Sequence, residues 1–123
     1  MNRELKFRVW SPLNKKMFPC YSFNTILKNK FVIGYSESFD KEFILDDKNA
    51  IVQQWTGFVD AKGVDVYEGD FLDDSRFPIT FNNGKFVVAV SGARIFVLEE
   101  FFEESIEPTV RGNIFENSEL LKQ

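Results

Sequence analysis

Alternation is what most restricts this chain. In "ELKFRVW" the residues Leu5, Phe7 and Val9 stand against Lys6 and Arg8. A period of two sends the first set to one face of a strand and the second set to the other. The same beat returns in "AIVQQWTGFVD", "VDVYEGDFL", "PITFNNGKFVVAV" and "ARIFVLEEFF". Residues that reverse a backbone stand between these runs. Gly63 ends "AKG", Asn83-Gly84 lies between Phe81 and Phe86, and Ser91-Gly92 offers a second two-residue loop. Asn-Gly between strands is the strongest local hairpin signal, because both central residues of the favoured turn need positive φ. Short strands separated by such turns predict an all-β fold, a barrel or a sandwich. The expectation is a small SH3-like barrel over residues 50–123, with an N-terminal β subdomain of residues 1–49 packed on it or continuous with it.

The first fifty residues are less regular. "SPLNKKM" reads as a turn in which Pro12 fixes φ and Asn14 takes a left-handed position. "KMFPCYSF" resumes a strand that Pro19 confines to an edge. A short helical turn at Asn24–Lys28 precedes a strand at Lys30–Tyr35, and "FILDDKNA" is a brief strand running into a polar loop. At the other end "TVRGNIFEN" is a last short strand, and Asn117 is placed to cap one helical turn.

With 123 residues the chain is long enough to bury roughly two-thirds of its unfolded surface. Fifteen Phe residues predict an interior filled by aromatic rings. Cys20 is the single cysteine, which excludes an intrachain disulfide and a multi-thiolate metal cluster. It fits a free, partly buried thiol in a reducing compartment. No apolar run is long enough to span a membrane as a helix, and strand-like sequence begins at once, with no stretch resembling a signal peptide. The expected location is the cytoplasm.

Charge is unevenly spread. Residues 1–30 hold seven basic residues and one acidic, whereas residues 65–107 hold three basic and ten acidic, within a net charge of −4. The polarity has two readings, a surface that faces a partner or two halves that neutralise each other.

The chain contains no His, which removes the commonest neutral-pH general base and the Ser-His and Cys-His pairs. No phosphate-cradling loop is present. Glu68, Asp70, Asp73 and Asp74 are close in sequence, but an extended strand sends Asp73 and Asp74 to opposite faces, and no calcium-loop spacing appears. No enzyme, cofactor or metal is therefore expected. The block around Gln54, Trp55, Gly57, Tyr67, Gly69 and Asp70 has two readings. In one, Gln54, Trp55 and Tyr67 form an interaction surface. In the other, it is a strand-turn-strand corner in which Gly57 and Gly69 permit a bulge or close approach and Asp70 accepts hydrogen bonds from loop amides. Gly63, Gly84, Gly112 and Asn113 are further turn positions. The acidic run "LEEFFEESIE" offers Glu99, Glu100, Glu103 and Glu104 to a basic partner, or is a solvated loop or helix-like turn anchored by Phe101 and Phe102.

Four ordered segments carry a resemblance. "ELKFRVW" with "NKKM" after it, "QQWTGFVDAKGVDVYEGD", "ITFNNGKFVV" and "RGNIFENSELL" together resemble the YopX family of phage and prophage proteins. That family shows a KFRAW-like opening, a QYTG-L-D-xNG-xxIYEGD block and a GNIYENPELL-like ending. Trp55 stands where the family usually has Tyr or Phe, Ala61-Lys62-Gly63 replaces Lys-Asn-Gly, and Ser118 replaces a Pro. The resemblance implies a phage or prophage product of a bacterial cytoplasm with a mostly β fold, and it brings no reaction or cofactor. The function expected is protein association, with a host or phage partner or with itself as a homo-oligomer. The alternative is single-stranded nucleic-acid binding through Arg3, Lys6, Arg8, Lys15, Lys16, Lys28 and Lys30 and the neighbouring Phe7, Trp10, Phe18, Tyr21 and Phe23. Against it stands a reading in which Lys6 and Arg8 form a solvated basic face over a buried aromatic one.

Overall fold

A computed structural model describes residues 5–20, 22–23, 30–35, 42–73, 77–90, 94–104, 108–117 and 119. They are mostly strands, with one short helix. The chain divides into two compact units, Met1–Gln54 and Trp55–Gln123.

In the first unit β1 (Phe7–Ser11) is flanked on both sides by antiparallel neighbours, β2 (Lys16–Cys20) and the opening residues of β6 (Ile51–Val59). The alternation of "FRVWS" becomes geometry here. Val9, opposite Phe18 and Val52, is wholly buried and packs with Cys20, Phe31 and Leu45, while Phe7, Phe18, Ala50 and Val52 lean on that cluster. Arg8 and Trp10, both half-buried, take the other face with Pro19, Met17, Gln53 and Ile51 as register partners, and Arg8 Nε donates to the buried Gln53 at 2.8 Å. Cys20 is a buried free thiol. A second sheet runs β3 (Ser22–Phe23), β4 (Lys30–Tyr35) and β5 (Glu42–Asp46), all antiparallel, and its cross-strand pair Phe31–Leu45 supplies half of the buried cluster. The helical turn expected at Asn24–Lys28 lies outside the described residues.

The β1–β2 turn corrects one expectation. Lys15, not Asn14, has the positive φ, at 52°. Asn14 is held instead by two hydrogen bonds, from its backbone N and its Nδ2, to the Ser11 hydroxyl. With Asn14 bonded back to Ser11, the left-handed step falls on the next residue.

In the second unit the remainder of β6 pairs with β7 (Asp65–Tyr67), Trp55 opposite Tyr67 and Val59 opposite Asp65. β8 (Asp70–Leu72) pairs with β12 (Val110–Asn113), and a three-stranded sheet runs in the order β11 (Arg94–Val97), β10 (Lys85–Val90), β9 (Thr80–Asn82). Val66, Leu72, Ile79, Phe86, Val88, Leu98 and Phe101 form the core, with Phe58, Phe96, Phe102 and Val110 against it. Burying one such side chain contributes about 1.5–3 kcal/mol. The Asn83-Gly84 hairpin forms with both residues at positive φ, 52° and 80°. The β10–β11 pairing closes at Val90–Arg94, and the turn read at Ser91-Gly92 falls in residues 91–93, outside the described ones.

Two continuous strands of the sequence reading are interrupted. "VDVYEGDFL" breaks after Tyr67, because Gly69 takes φ 88° and starts β8 on a new course. "ARIFVLEEFF" leaves the sheet at Val97 and becomes the helix α1 (Leu98–Glu104). Leu98 and Phe101 are both buried. Residues three apart point to opposite sides of a strand but to one side of a helix, so only the helix buries both. Glu99 and Glu100 in its first turn suit the positive end of the helix dipole. Among the described residues no helix is long and apolar enough to cross a membrane.

Candidate functional site

The stretch from Gln54 to Asp70 is a set of interlocked turns. Trp55 and Tyr67 are half-buried cross-strand partners, and the Trp55 indole Nε1 donates to the Phe58 carbonyl at 3.0 Å, reaching across Gly57. The register slips between Trp55 and Val59, and Gly57 sits inside that irregularity with φ 91°. Thr56 is buried. Its hydroxyl donates to the Val66 carbonyl at 2.7 Å and accepts from the Phe58 amide at 3.2 Å. Gln54 is half-buried opposite Phe7.

Asp60 organises the β6–β7 turn. One carboxylate oxygen accepts the amides of Lys62 and Val64 at 2.8 and 2.9 Å, and the other accepts the Val110 amide at 2.9 Å. The Asp60 amide donates to the Val64 carbonyl, Gly63 donates to the Asp60 carbonyl, and Ala61 donates to Pro108. A hairpin turn is thus tied to β12, fifty positions further on. Burial opposes ionisation of Asp60, but the amides of Val110, Val64 and Lys62, with the Lys62 charge, outweigh it and hold the carboxyl below its ordinary value. Sequence reading did not single out Asp60. The signal was present as an Asp two residues before Lys62 and three before a turn glycine, an Asx-turn pattern.

Asp70, 1% exposed, accepts the Tyr67 amide at 2.8 Å. Around it Gly69 donates to Ile79, Ile79 donates to the Asp70 carbonyl, and Ile114 donates to Gly69. Asn113 is buried. Its side-chain oxygen accepts the amides of Phe115 and Glu116 at 3.0 and 2.8 Å, and its Nδ2 donates to Glu116 at 2.7 Å. Gly112 lies beside Asn117, and a Cβ on it would stand 2.6 Å from the Asn117 Oδ1 and 2.8 Å from its Cγ. Contact that close excludes any side chain at Gly112 without a shift of Asn117. Asp73 is exposed and accepts both the amide and the hydroxyl of Thr109, at 3.2 and 2.5 Å.

The first unit repeats the device at Asp47. Asp47, 5% exposed, accepts the Ser11 hydroxyl at 2.6 Å, the Asn49 amide at 2.9 Å and the Leu13 amide at 3.1 Å. The Ser11 bond, with the Asn49 amide, lowers its carboxyl below the ordinary range despite the opposing effect of burial, and the Leu13 amide adds to it. An open depression beside it is lined by Pro12, Leu13, Asp46, Asp47, Lys48 and Asn49.

The acids close in sequence at 68–74 have separate surroundings where they are described. Asp70 faces the Tyr67 amide, Asp73 faces Thr109, Glu68 lies in the turn between β7 and β8, and Asp74 lies outside the described residues. Among the described residues no three His, Cys, Asp or Glu side chains come together to hold an ion. Glu99, Glu100, Glu103 and Glu104 are exposed on α1, anchored from beneath by Leu98 and Phe101, with Phe102 stacked on Phe58 at 4.7 Å.

Comparison with known proteins gives two findings. A family model described as "YopX protein" matches residues 6–122. The crystal structure of protein EF1440 from Enterococcus faecalis superposes with a TM-score of 0.58 at 23% identity, over 98% of this chain and 99% of that one. At that identity the likeness concerns the fold. No curated protein matches the sequence.

Proposed function

The chain belongs to the YopX family, and from that membership we propose that it is an accessory protein that works by associating with other proteins and not by catalysis. The observation supporting this reading is how its acids are placed. Asp47, Asp60, Asp70 and Asp73 each accept backbone amides in or between turns, so their lone pairs hold the chain in shape. The exposed carboxylates of α1 instead stand on a helix fixed by two buried side chains, a rigid acidic surface suited to a basic partner. In this reading the protein is a phage or prophage product of a bacterial cytoplasm, its second unit closes as an SH3-like barrel, and it needs no cofactor. The test is quantitative co-purification from bacterial cells with wild type and with Glu99→Lys, Glu100→Lys and Glu103→Lys combined. A defined protein captured by wild type and lost from the variant supports the reading, and identical captured sets refute it.

A second reading has one observation behind it. Arg8 and Trp10, both half-buried, share one face of β1, while Phe18 packs on the core and Tyr21 lies outside the described residues. A basic residue beside an indole is the element of a single-strand stacking platform. Oligonucleotide anisotropy at about 0.01 M salt, where phosphate contacts are strongest, decides it: no binding removes this reading.

A further inference from the structure

The sheet β11-β10-β9 hides one face and shows the other. Phe86, Val88 and Phe96 turn to the core. The register then places Val87 with its partners Thr80 and Val97, and Ala89 with its partner Ile95, on the opposite face. Ile95 is 69% exposed, and Val87, Ala89 and Val97 are half-buried. A sheet with one solvated face ordinarily alternates apolar inward with polar outward. Here Val87, Ala89, Ile95 and Val97 form an apolar row on the outward side, with Thr80, Asn82 and Lys85 at one end of it. Small β-branched side chains have little rotamer freedom to lose, and they form a flat surface of the kind that packs on another sheet.

The surrounding charge selects the partner. The second unit carries six basic and thirteen acidic residues, a net −7, so two copies meeting through it would repel. A complementary surface is apolar and set on a basic body. The chain itself carries one. The face of the first unit that carries Arg8, Trp10, Met17, Pro19 and Ile51 in adjoining register also carries Gln53, which is buried and accepts from Arg8 Nε at 2.8 Å. Arg8, Trp10 and Met17 are half-buried, and Pro19 and Ile51, the latter 44% exposed, are its open members. That unit holds nine basic and six acidic residues, a net +3.

We propose that the outward face of β9, β10 and β11 in one copy docks on that face of the first unit in a second copy. This deepens the association reading by naming self as a partner. The contact joins unlike surfaces, so every copy retains one unused face of each kind, and addition continues until a ring closes or a filament grows.

The test is sedimentation of the purified full chain at about 0.01 M and about 1 M salt, between which the Debye length falls from about 30 to about 3 Å. The expected result is a mass above the 14.3 kDa of one chain that grows with concentration and shrinks at high salt. Ile95→Lys and Ile51→Glu each place on one face the charge of the body it must meet. Each should weaken association by about tenfold or more. Mixed together, the two variants should re-form a pair, because each keeps the face that the other lacks. Unchanged circular dichroism separates lost docking from lost folding. A single-chain mass in every condition overturns the proposal, as does association that strengthens with salt, a mixture that fails to pair, or loss of stability in place of loss of mass. These outcomes leave the capture of host or phage proteins by α1 to its own experiment.

Discussion

The two units reach order by different balances of the same means. Among its described residues the first packs Val9, Cys20, Phe31 and Leu45 together and holds a loop through the Asp47 carboxylate. Among the described residues the second packs Val66, Leu72, Ile79, Phe86, Val88, Leu98 and Phe101 together, buries Phe71 as well, adds the stacked Phe58–Phe102 pair, and ties its turns together through Asp60, Asp70, Asp73 and Asn113. Carboxylates on loops are often read as chemistry. Here those of Asp47, Asp60 and Asp70 accept backbone amides and hold turns against the core, because a well-packed interior requires its loops to enter and leave at fixed angles. The difference teaches that one device, a carboxylate accepting backbone amides, serves a loop around Asp47 and a linked set of turns around Asp60, Asp70 and Asp73.

The comparison can be broken most forcefully at the cores. Phe101→Ala removes a ring packed near Phe96 and Phe102 and should destabilise by about 3–5 kcal/mol. Leu45→Ala, in the cluster around Val9, should destabilise by about 2–5 kcal/mol. Each unit holds one Trp, Trp10 and Trp55, so urea unfolding followed in Trp10→Phe and Trp55→Phe backgrounds reads the units separately. A larger loss for Leu45→Ala than for Phe101→Ala would reverse the order expected of the two substitutions.

Next in size is Gly112→Ala, where the new Cβ meets Asn117. The expected cost is about 1–3 kcal/mol, and it should be relieved by combining it with Asn117→Gly. At Gly63, φ 83° is unfavourable to a side chain, but the space is open, so Gly63→Ala should cost about 1–2 kcal/mol with no such relief. Equal costs that no second substitution relieves would show that crowding at Gly112 does not matter.

Acid should act on both units in the same direction. The folded carboxyls of Asp47 and Asp60 lie below their ordinary value, so between the folded and unfolded values the unfolded chain binds more protons. Their contribution is complete above the ordinary carboxylate value of about 4 and is lost as pH falls through the folded value. Asp60→Asn and Asp47→Asn should each flatten the acid limb of a stability-against-pH curve measured by denaturant midpoint. A limb unchanged in Asp60→Asn would remove the charge of Asp60 from the account of the second unit. The smallest effect is expected at Glu103→Lys, which places a cation in the last turn of α1 and four residues after Glu99. Thermal melting should show a gain of about 0.3–0.5 kcal/mol.

How far these features were legible in the sequence follows from their range. The Asn83-Gly84 hairpin and the strand at Lys30–Tyr35 were readable, since each depends on residues within a few positions. The break at Gly69 was not, because Gly inside an alternating run reads equally as a bulge or a bend, and only the bonds from Gly69 to Ile79 and from Ile114 to Gly69 choose between them. Asp70 stood out by its Gly-Asp context. At Asp60 the bonds to the Lys62 and Val64 amides were legible as an Asx-turn pattern, whereas the bond to Val110 was not, because no local pattern connects the two.

What the sequence determined alone is a β protein with hinged ribbons and an aromatic interior, because side-chain alternation and positive-φ turns are short-range properties that act before any long-range contact forms. What the tertiary structure decided is where alternation yields to the helix at Leu98, which acids become turn locks, and which apolar rows face outward. Those outcomes depend on burying Leu98 with Phe101, on amides brought to Asp60 from a distant strand, and on the register of β10 between β9 and β11. Each is a comparison between surfaces that exist only once the chain has folded.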